Sequence, residues 1–182
     1  MRVIAGIARG RHLKGGGERG LRPTSDLVRG AMFDMLQSMG VDFSRVLDLY
    51  AGTGALGIEA LSRGAGWCDF VEKDARFCRL IHENLALAAF SEKAAIFCLP
   101  AERALTKLTG KYSLILSDPP YRDEEADGVL QRVAASSLMG REAVILLEHS
   151  KRKTPPDLGT IPLLTSRRHG DTVISIYRSG GS

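Results

Sequence analysis

The sequence has few of the residues that build metal sites, disulfide frameworks or membrane spans. Its three cysteines form no Cys-x-x-Cys pair, and its four histidines are scattered without the spacing of metal ligands. An odd number of cysteines is typical of reduced, mostly buried thiols in a cytoplasmic protein, as we expect of Cys68, Cys78 and Cys98. No apolar run approaches the roughly 20 residues that span a bilayer. The expectation is a cytoplasmic protein with no metal site and no membrane contact.

The chain also lacks the length for two large domains and the features of a targeting segment. Its 182 residues are enough for one domain with a core. Residues 1–10 hold no apolar stretch long enough for a signal peptide, and Gly15–Gly17 would break the amphipathic helix of a transit peptide. Nothing in the sequence demands more than a monomer.

Charge is distributed unevenly along the chain. Residues 1–30 carry seven Lys or Arg against two acidic residues, and residues 151–182 carry six against two. Because the whole chain has a net charge of only +4, the section between these ends is acidic. Basic ends that flank an acidic body favour contact with a polyanion such as nucleic acid. The alternative is that both ends are simply solvated.

Strand-like and helix-like segments alternate regularly after residue 45. Short runs of apolar and β-branched residues are followed by segments with the spacing of amphipathic helices. This alternation predicts an α/β fold in which a parallel sheet carries helices on both faces. The predicted strands are about 45–50, 67–72, 95–99, 112–117 and 143–148, and the predicted helices are about 55–61, 74–88, 101–108 and 124–138.

The C-terminal end departs from this alternation. Leu163 to Arg168 and Thr172 to Arg178 are strand-like and joined through Gly170-Asp171, which predicts an antiparallel hairpin.

The N-terminal end departs from it too. Val3 to Ile7 and Arg11 to Lys14 predict a small basic β-hairpin, and a glycine-rich connector follows over residues 15–20. A helix is predicted from Thr24-Ser25-Asp26 to Gly40. We therefore expect an extension over residues 1–22 and a main domain over residues 23–182.

The first motif with a chemical meaning is a glycine-rich turn between a strand and a helix. Val46 to Leu49 lead into Gly52, Gly54 and Gly57, whose missing β-carbons let a ligand approach the backbone. The helix that follows offers free N–H groups and a partial positive charge. This spacing also fits the GxGxxG fingerprint of dinucleotide-binding enzymes. Asp48 inside the strand would repel a pyrophosphate and attract an ammonium group, which favours S-adenosylmethionine over NAD.

The second motif is an acidic residue at the end of the next strand, Glu72, which Lys73 and Asp74 follow. A carboxylate at this place can accept hydrogen bonds from both hydroxyls of a ribose. Such a contact serves NAD and S-adenosylmethionine alike, so it indicates a nucleoside-type ligand without choosing between them. The alternative is that Glu72 merely closes the strand.

The third motif is Asp118-Pro119-Pro120-Tyr121, which follows the fourth strand of the alternating region. It would stand at the carboxyl edge of the sheet, where open α/β folds bind ligands. Prolines fix their own φ angles and have no N–H, so the backbone carbonyls point outward as fixed acceptors. Asp118 and the carbonyl of Pro119 can hold the hydrogens of an amino group on an aromatic ring, while Tyr121 stacks on that ring. The quartet predicts methyl transfer to a planar, conjugated nitrogen.

Together these motifs resemble class I methyltransferases that act on amino groups of bases. From residue 2 to about residue 178 the chain resembles in particular the RsmD family of 16S ribosomal RNA guanine-N2-methyltransferases. The strings that carry this closer resemblance are Arg2-Val3-Ile4-Ala5-Gly6, Arg9-Gly10-Arg11, Arg22-Pro23-Thr24-Ser25-Asp26 and Val28-Arg29.

The resemblance implies a fold, a cofactor and a partner. The fold is Rossmann-like, with a seven-stranded, mostly parallel sheet. S-adenosylmethionine is the methyl donor, S-adenosylhomocysteine the product, and no metal takes part. The acceptor is a guanine of 16S rRNA in the small ribosomal subunit or an assembly intermediate.

The resemblance also implies roles for individual residues. Asp118, Pro119, Pro120 and Tyr121 would hold the target base and carry out catalysis. The cofactor would lie against Asp48, Tyr50, Ala51, Gly52, Thr53, Gly54, Ala55, Glu72, Lys73, Ala101 and Glu102, with the N–H of Ala101 directed at the adenine ring. RNA contacts are expected from Arg2, Arg9, Arg11, Lys14, Arg22, Pro23 and Thr24, and the charge of the C-terminal end adds Lys151 to Lys153 as candidate phosphate contacts.

The chain departs from the family pattern at two positions. Gly30 follows Val28-Arg29 where relatives tend to have an acidic residue, so any role of that carboxylate is not carried over. Pro100 stands where many relatives have Asp or Asn, so a contact to the adenine amino group falls to Glu102 or is absent.

Three other functions remain open at this point. A methyltransferase with the same quartet could act on adenine N6, on cytosine N4 or on a glutamine amide. An NAD-dependent oxidoreductase would need a proton-transferring side chain near the crevice, and the quartet has no task in it. A noncatalytic RNA-binding ribosome assembly factor could keep the fold, and it would not bind S-adenosylmethionine.

Overall fold

The computed structural model describes residues 1–15 and 25–180. Within these residues, seven strands form a single sheet in the order β3-β2-β1-β4-β5-β7-β6. The strands are β1 (Arg45–Leu49), β2 (Trp67–Glu72), β3 (Ala94–Cys98), β4 (Tyr112–Ser117), β5 (Met139–Ser150), β6 (Leu163–His169) and β7 (Thr172–Arg178).

The direction of the strands divides the sheet into two parts. Strands β1 to β5 run parallel to one another. Strand β7 runs antiparallel to both β5 and β6, so the last two strands form the predicted hairpin at one edge. The carboxyl ends of the parallel strands therefore meet along one edge of the sheet, which confirms the predicted mostly parallel architecture.

Helices cover both faces of the sheet. Apolar side chains of α1 (Asp26–Ser38), α2 (Ala55–Ser62) and α3 (Ala75–Ala88) pack with the strands on one face. Helices α4 (Ala101–Ala104) and α5 (Ala126–Ala134) pack on the other. A short 3-10 turn lies at Ser91–Lys93. Two of these helices begin where the sequence places a cap, because Ser25 accepts the N–H of Val28 and Asp74 accepts that of Arg76.

The N-terminal segment pairs its two predicted arms only at their outer end, where the N–H groups of Val3 and Leu13 donate to the carbonyls of Arg11 and Met1. It contains one isolated antiparallel bridge, between Arg2 and His12. The N–H groups of Ile4 and Ala5 donate to the carboxylate of Glu59. Beyond Val3, the backbone N–H groups of Ile4 and Ala5 thus bond to helix α2 instead of extending the pairing with the second arm. Val3, Ala8 and Leu13 instead join the core on the α1–α2–α3 face.

A buried ionic group holds this segment in place. Glu59 is 1% exposed, and Arg63 donates to it at 2.9 Å. Arg29, which is also buried, lies 3.8 Å from Glu59 and donates to Asp26 and to the backbone carbonyl of Arg2. Because a buried carboxylate is costly unless it is paired, these contacts tie the first residues of the chain to α1 and α2.

The cysteines differ from the sequence-based expectation. Cys78 of α3 and Cys98 at the end of β3 are joined in a disulfide, so these two are not reduced thiols. Cys68 is free and buried, and its burial raises the pKa of its thiol. The pair forms because β3 lies beside β2 with Cys98 opposite Glu72, whose carbonyl also contacts Cys78.

Helix length and composition also bear on membrane insertion. Among the helices in residues 1–15 and 25–180, none is both long enough and apolar enough to cross a bilayer.

Candidate active site

A cavity of about 1150 Å³ opens at the carboxyl edge of the parallel strands. This volume is large for a small-molecule site, and it has room for more than one ligand group. Its wall combines the ends of β1, β2, β4 and β5, the start of α1 and the turn between β6 and β7. The wall residues are Ser25, Val28, Tyr50, Val71, Glu72, Lys73, Leu99 to Glu102, Asp118 to Glu125, Glu148 and His169 to Thr172.

The Asp-Pro-Pro-Tyr quartet lies in this wall, directly after the last residue of β4. Asp118 is half-buried, Pro119 is buried, and Pro120 and Tyr121 are exposed. The Tyr121 ring is 49% exposed, and its hydroxyl lies 3.0 Å from the Thr172 hydroxyl at the start of β7. The ring is thus fixed at its far end while one face remains available to a ligand.

The glycine-rich turn has the backbone that its sequence predicts. Gly52 and Gly54 have φ angles of 54° and 80°, in the left-handed region that favours glycine. Tyr50, at the cavity wall, has a φ of 60° without being glycine. A non-glycine residue in this region stores backbone strain, a feature that clusters at functional sites. Burial, followed by nearby acidic groups, raises the pKa of Tyr50.

Glu72 connects this turn to the cavity. One carboxylate oxygen accepts the N–H of Gly52 at 2.8 Å, and the other accepts the N–H of Asp74 at 2.8 Å. Each oxygen of an ionised carboxylate has a second lone pair. Glu72 can therefore hold the turn and still accept two hydroxyl groups from the cavity side. Lys73, next to it, is exposed in the same wall.

Asp48 lies behind the turn and is 1% exposed. Its carboxylate accepts the N–H of Gly57 at 2.8 Å, so it ties β1 to the first turn of α2. Burial, reinforced by Glu72 and opposed by the Gly57 hydrogen bond, raises the pKa of Asp48 to about 7. A cationic ligand beside the turn would favour the ionised form of this group.

The segment after β3 forms the opposite side of the cavity. Pro100, Ala101 and Glu102 all lie in the wall. Ala101 is the first residue of α4, so its N–H is not used by the hydrogen bonds of its own helix. Among the cofactor residues predicted from sequence, the wall contains Tyr50, Glu72, Lys73, Ala101 and Glu102. Ala51, Gly52, Thr53, Gly54 and Ala55 adjoin it through Glu72 and do not line it themselves.

The predicted RNA-binding residues separate into two groups. Arg22, Pro23 and Thr24 lie outside the described residues. Arg2, Arg9, Arg11 and Lys14 are exposed. Three of these four make contacts within the chain. Arg2 pairs with Asp26 at 3.6 Å, Arg11 donates to the carbonyl of Leu87, and Lys14 pairs with Glu83 at 2.8 Å.

Among the wall residues that sequence reasoning missed, two adjoin the Asp-Pro-Pro-Tyr quartet. Glu148, 5% exposed, follows β5 residue Leu147, which pairs with Ser117 of β4. This register places Glu148 beside Asp118 at the ends of neighbouring strands. Thr172 enters the wall from the hairpin and contacts Tyr121. Neither residue stands in a recognisable string, so only the strand register could have revealed them.

The wall is strongly acidic. It contains eight Asp or Glu residues. Among the described residues, its basic members of the Lys and Arg type are Lys73 and Arg122. Such a wall favours a cationic ligand and disfavours one that carries a pyrophosphate. Among residues 1–15 and 25–180, no group of three or more His, Cys, Asp or Glu side chains is placed to hold a metal ion.

Comparisons with known proteins find chains that are similar over most of this sequence. The chain is 34% identical over 185 residues to "Putative rRNA methyltransferase YlbH" of Bacillus subtilis, which covers all of both chains. It is 33% identical over 148 residues to "Ribosomal RNA small subunit methyltransferase D" of Escherichia coli, covering 81% of this chain and 74% of that protein. The solved structure "Putative methyltransferase yhhF from Escherichia coli" superposes with a TM-score of 0.86 and 29% identity, covering 100% of this chain and 99% of that one.

These matches confirm the Rossmann-like methyltransferase fold. A family model described as "Conserved hypothetical protein 95" matches residues 1–178. The chain therefore belongs to the RsmD family.

Proposed function

We propose that this chain transfers a methyl group from S-adenosylmethionine to the exocyclic N2 amino group of a guanine in 16S rRNA. The observation that carries the proposal is that one cavity contains both Glu72 and the Asp118–Tyr121 quartet. A carboxylate suited to ribose hydroxyls and a set of acceptors suited to an aromatic amino group thus face the same space. The names of the relatives from Bacillus subtilis and Escherichia coli support rRNA as the substrate.

The charge of the cavity supports S-adenosylmethionine as the cofactor. This ligand carries an ammonium and a sulfonium group, whereas NAD carries a pyrophosphate that eight acidic wall residues would repel. In this assignment Glu72 accepts the ribose hydroxyls and the N–H of Ala101 reaches the adenine ring. The turn with Asp48, Gly52 and Gly54 faces the amino acid part. The remaining cofactor contacts belong to Tyr50, Ala51, Thr53, Ala55, Lys73 and Glu102.

The proposed reaction is a direct transfer without a covalent enzyme intermediate. S-adenosylmethionine, when bound, supplies an electrophilic methyl group and leaves as S-adenosylhomocysteine. Asp118 and the carbonyl of Pro119 accept the two amino hydrogens and favour a pyramidal nitrogen. Asp118 can then take up the proton that the new N–C bond displaces. Placement of this kind contributes on the order of 7–11 kcal/mol.

The target base must leave its stack before it can enter the cavity, which costs a few kcal/mol. Stacking on Tyr121 contributes about 1–3 kcal/mol toward this cost. Phosphate contacts from Arg2, Arg9, Arg11 and Lys14, and from the segment Arg22-Pro23-Thr24, would supply more. We propose that the enzyme acts in the cytoplasm as a monomer, on the small subunit or an assembly intermediate.

Transfer of labelled methyl tests the activity and its acceptor together. Small subunits from cells that lack the protein are incubated with the purified chain and labelled S-adenosylmethionine, and the RNA is digested to nucleosides. The expected product is N2-methylguanosine. Recovery of N6-methyladenosine would move the acceptor to adenine. An absence of both label transfer and heat of S-adenosylmethionine binding would favour a noncatalytic assembly factor.

The Asp118→Ala variant tests the catalytic assignment. We expect kcat to fall by about 100- to 1000-fold, the loss typical of removing one preorganised group from an active site. Cofactor affinity, measured by calorimetry, should change less than threefold. Glu124→Ala is the matched control, since it removes another acidic wall residue without touching the quartet. Normal turnover by Asp118→Ala would show that the amino group is held elsewhere.

A further inference from the structure

The hairpin of β6 and β7 forms one side of the cavity. Residues 169–172, which include its turn, lie in the wall. The Thr172 hydroxyl is 3.0 Å from the hydroxyl of Tyr121. A ligand that contacts the outer side of this turn would therefore lie next to a base stacked on Tyr121.

Three exposed arginines surround this turn, and together they are called the hairpin surface: Arg152, Arg167 and Arg168. Among the described residues, none of the three forms an ion pair with a carboxylate. The neighbouring lysines differ, since Lys151 pairs with Asp171 at 2.5 Å and Lys153 pairs with Asp127 at 2.8 Å. Arg168 donates only to the carbonyl of Gly170, which leaves its charge uncompensated.

The strand register places Arg167 on the same face of the sheet as the catalytic quartet. Glu148 lies opposite Ile174, and Ile174 lies opposite Arg167, so these three positions form a row across β5, β7 and β6. Asp118, one residue after the pair Ser117 and Leu147, continues this row. Three strand spacings separate the ends of the row, which is roughly 14 Å. Nucleotides that flank a flipped base lie within such a distance.

The acidic wall adds a second constraint. Its eight carboxylates repel phosphate groups, so an RNA backbone cannot follow its base into the cavity. The backbone must stay at the rim, where cationic side chains can hold it. Within the described residues, the hairpin surface supplies three such cations on this side of the rim, and Arg122 of the wall is a further exposed one.

We propose that the hairpin surface binds the phosphodiester backbone of the RNA beside the nucleotide whose base enters the cavity. This inference rests on the proposed function and narrows the basic C-terminal end of the chain to three arginines beside the cavity. Arg152, Arg167 and Arg168 neutralise phosphates on the C-terminal side of the cavity. The N-terminal segment serves the other side.

The test compares two triple variants with the same change in net charge. Arg152→Gln, Arg167→Gln and Arg168→Gln together remove the hairpin surface. Lys93→Gln, Lys111→Gln and Arg141→Gln remove three exposed cations near the amino ends of β3, β4 and β5, on the opposite edge. Both proteins are assayed on small subunits from cells that lack the protein. Affinity and KM are measured across a salt series, and S-adenosylmethionine affinity is measured by calorimetry.

We expect the hairpin variant to raise KM for the subunit about 10- to 100-fold. The slope of log affinity against log salt should become shallower by about 2–3, the value for three lost phosphate contacts. The control should stay within twofold of wild type, and both should bind S-adenosylmethionine normally. Replacing the same three arginines by lysine should keep the wild-type slope, which excludes a folding defect as the cause.

Two negative results have different meanings. If wild type methylates the subunit and the hairpin variant behaves like the control, the hairpin surface does not contact RNA and the inference is overturned. If wild type neither binds nor methylates the subunit, the proposed function itself fails.

Discussion

The Tyr121 ring depends on a residue that is 51 positions away in sequence. Its hydroxyl shares a hydrogen bond of 3.0 Å with Thr172, which holds the ring against the hairpin. The Thr172→Val variant keeps the shape of the side chain but loses this bond, which is worth about 0.5–1.5 kcal/mol. We expect KM for the RNA substrate to rise about 2- to 10-fold with little change in kcat, measured by steady-state methyl transfer.

Three companion variants separate positioning from a general loss of structure. Thr172→Ser keeps the hydroxyl and should behave like wild type. Tyr121→Phe removes the same bond from the other side, so the double variant Tyr121→Phe/Thr172→Val should be no worse than either single one. Additive losses in the double variant would mean that the two side chains act independently.

The place of a residue in the site could be predicted where the residue belongs to a continuous sequence motif. It could not be predicted where the pairing of strands in the sheet brings distant residues together. Glu72 and Asp118 follow strands whose hydrophobic pattern is plain, so their position at the cavity could be inferred from their neighbours. Glu148 and Thr172 belong to no string. The pairing of Cys78 with Cys98 depends on the register of β2 and β3, which residue spacing does not contain.

Among the elements, α2 is positioned by close packing against β2. A β-carbon added to Gly57 would lie 2.3 Å from the buried Phe70 ring and 2.8 Å from the sulfur of Cys68. We expect Gly57→Ala to lower the free energy of unfolding by about 1–3 kcal/mol, because neither neighbour has space to move. Gly128→Ala in α5 meets open space and should instead raise it by about 0.5–1 kcal/mol. Urea unfolding of both variants measures the contrast, and a stable Gly57→Ala protein would show that α2 can shift.

The link between β1 and α2 should make stability depend on pH. The pKa of Asp48 is raised from 3.8 to about 7, so the folded state retains a proton that the unfolded state has lost. The stability from this group is complete below about pH 4 and is lost as the pH rises to about 7. The loss is up to about 1.4 kcal/mol per pH unit.

The Asp48→Asn variant isolates this dependence. Its amide oxygen can still accept the N–H of Gly57, but it does not titrate. From pH 4 to pH 7, the free energy of unfolding of wild type should fall relative to that of Asp48→Asn. Above pH 7 the difference between the two proteins should stay constant. Urea unfolding at each pH gives this difference, in which the other titrating groups cancel. A constant difference over the whole range would mean that Asp48 is ionised throughout.

Most strands were predicted closely, since β2, β4 and β7 have the expected bounds, whereas β5 extends beyond the expected 143–148 at both ends. Their hydrophobic runs and flanking glycines are local signals. The N-terminal hairpin pairs only at its outer end, where Val3 and Leu13 donate to the carbonyls of Arg11 and Met1, whereas Ile4 donates to Glu59 of α2, 55 positions away. A side chain of a distant helix competes here for the backbone N–H groups that would extend the strand pairing. Such competition depends on the tertiary fold, so the local sequence pattern does not predict it.

The whole molecule places its acidic and basic residues in different regions. Acidic residues line the cavity, while the exposed arginines of the hairpin surface stand beside the β6–β7 turn in its wall. Under the proposed function, this arrangement would admit a cationic cofactor and a neutral base to the interior and would keep the RNA backbone outside. The net charge of +4 alone contains none of this information.

Cofactor binding should be visible in the stability of the whole molecule. A ligand that binds only the folded state at 100 times its Kd adds about 2.7 kcal/mol to the free energy of unfolding. For a chain of this size that corresponds to an increase in Tm of about 5–11 °C. We expect S-adenosylhomocysteine to produce this shift in a thermal scan and NAD at the same concentration to produce none. The first ligand carries no phosphate, and its amino acid end is a zwitterion without net charge, so the acidic wall does not exclude it, whereas the wall repels the pyrophosphate of the second.

The Glu72→Gln variant ties this shift to the cavity. Its amide has one acceptor oxygen where the carboxylate has two, so it can receive only part of the ribose contact. The ligand-induced increase in Tm should therefore be smaller than in wild type at the same concentration, while Glu92→Gln, an exposed control outside the cavity, should keep the full increase. An equal shift in all three proteins would place the cofactor away from Glu72. If NAD raised Tm as much as S-adenosylhomocysteine does, the glycine turn would instead belong to a dinucleotide-binding site, because only such a site tolerates the negative charge of a pyrophosphate.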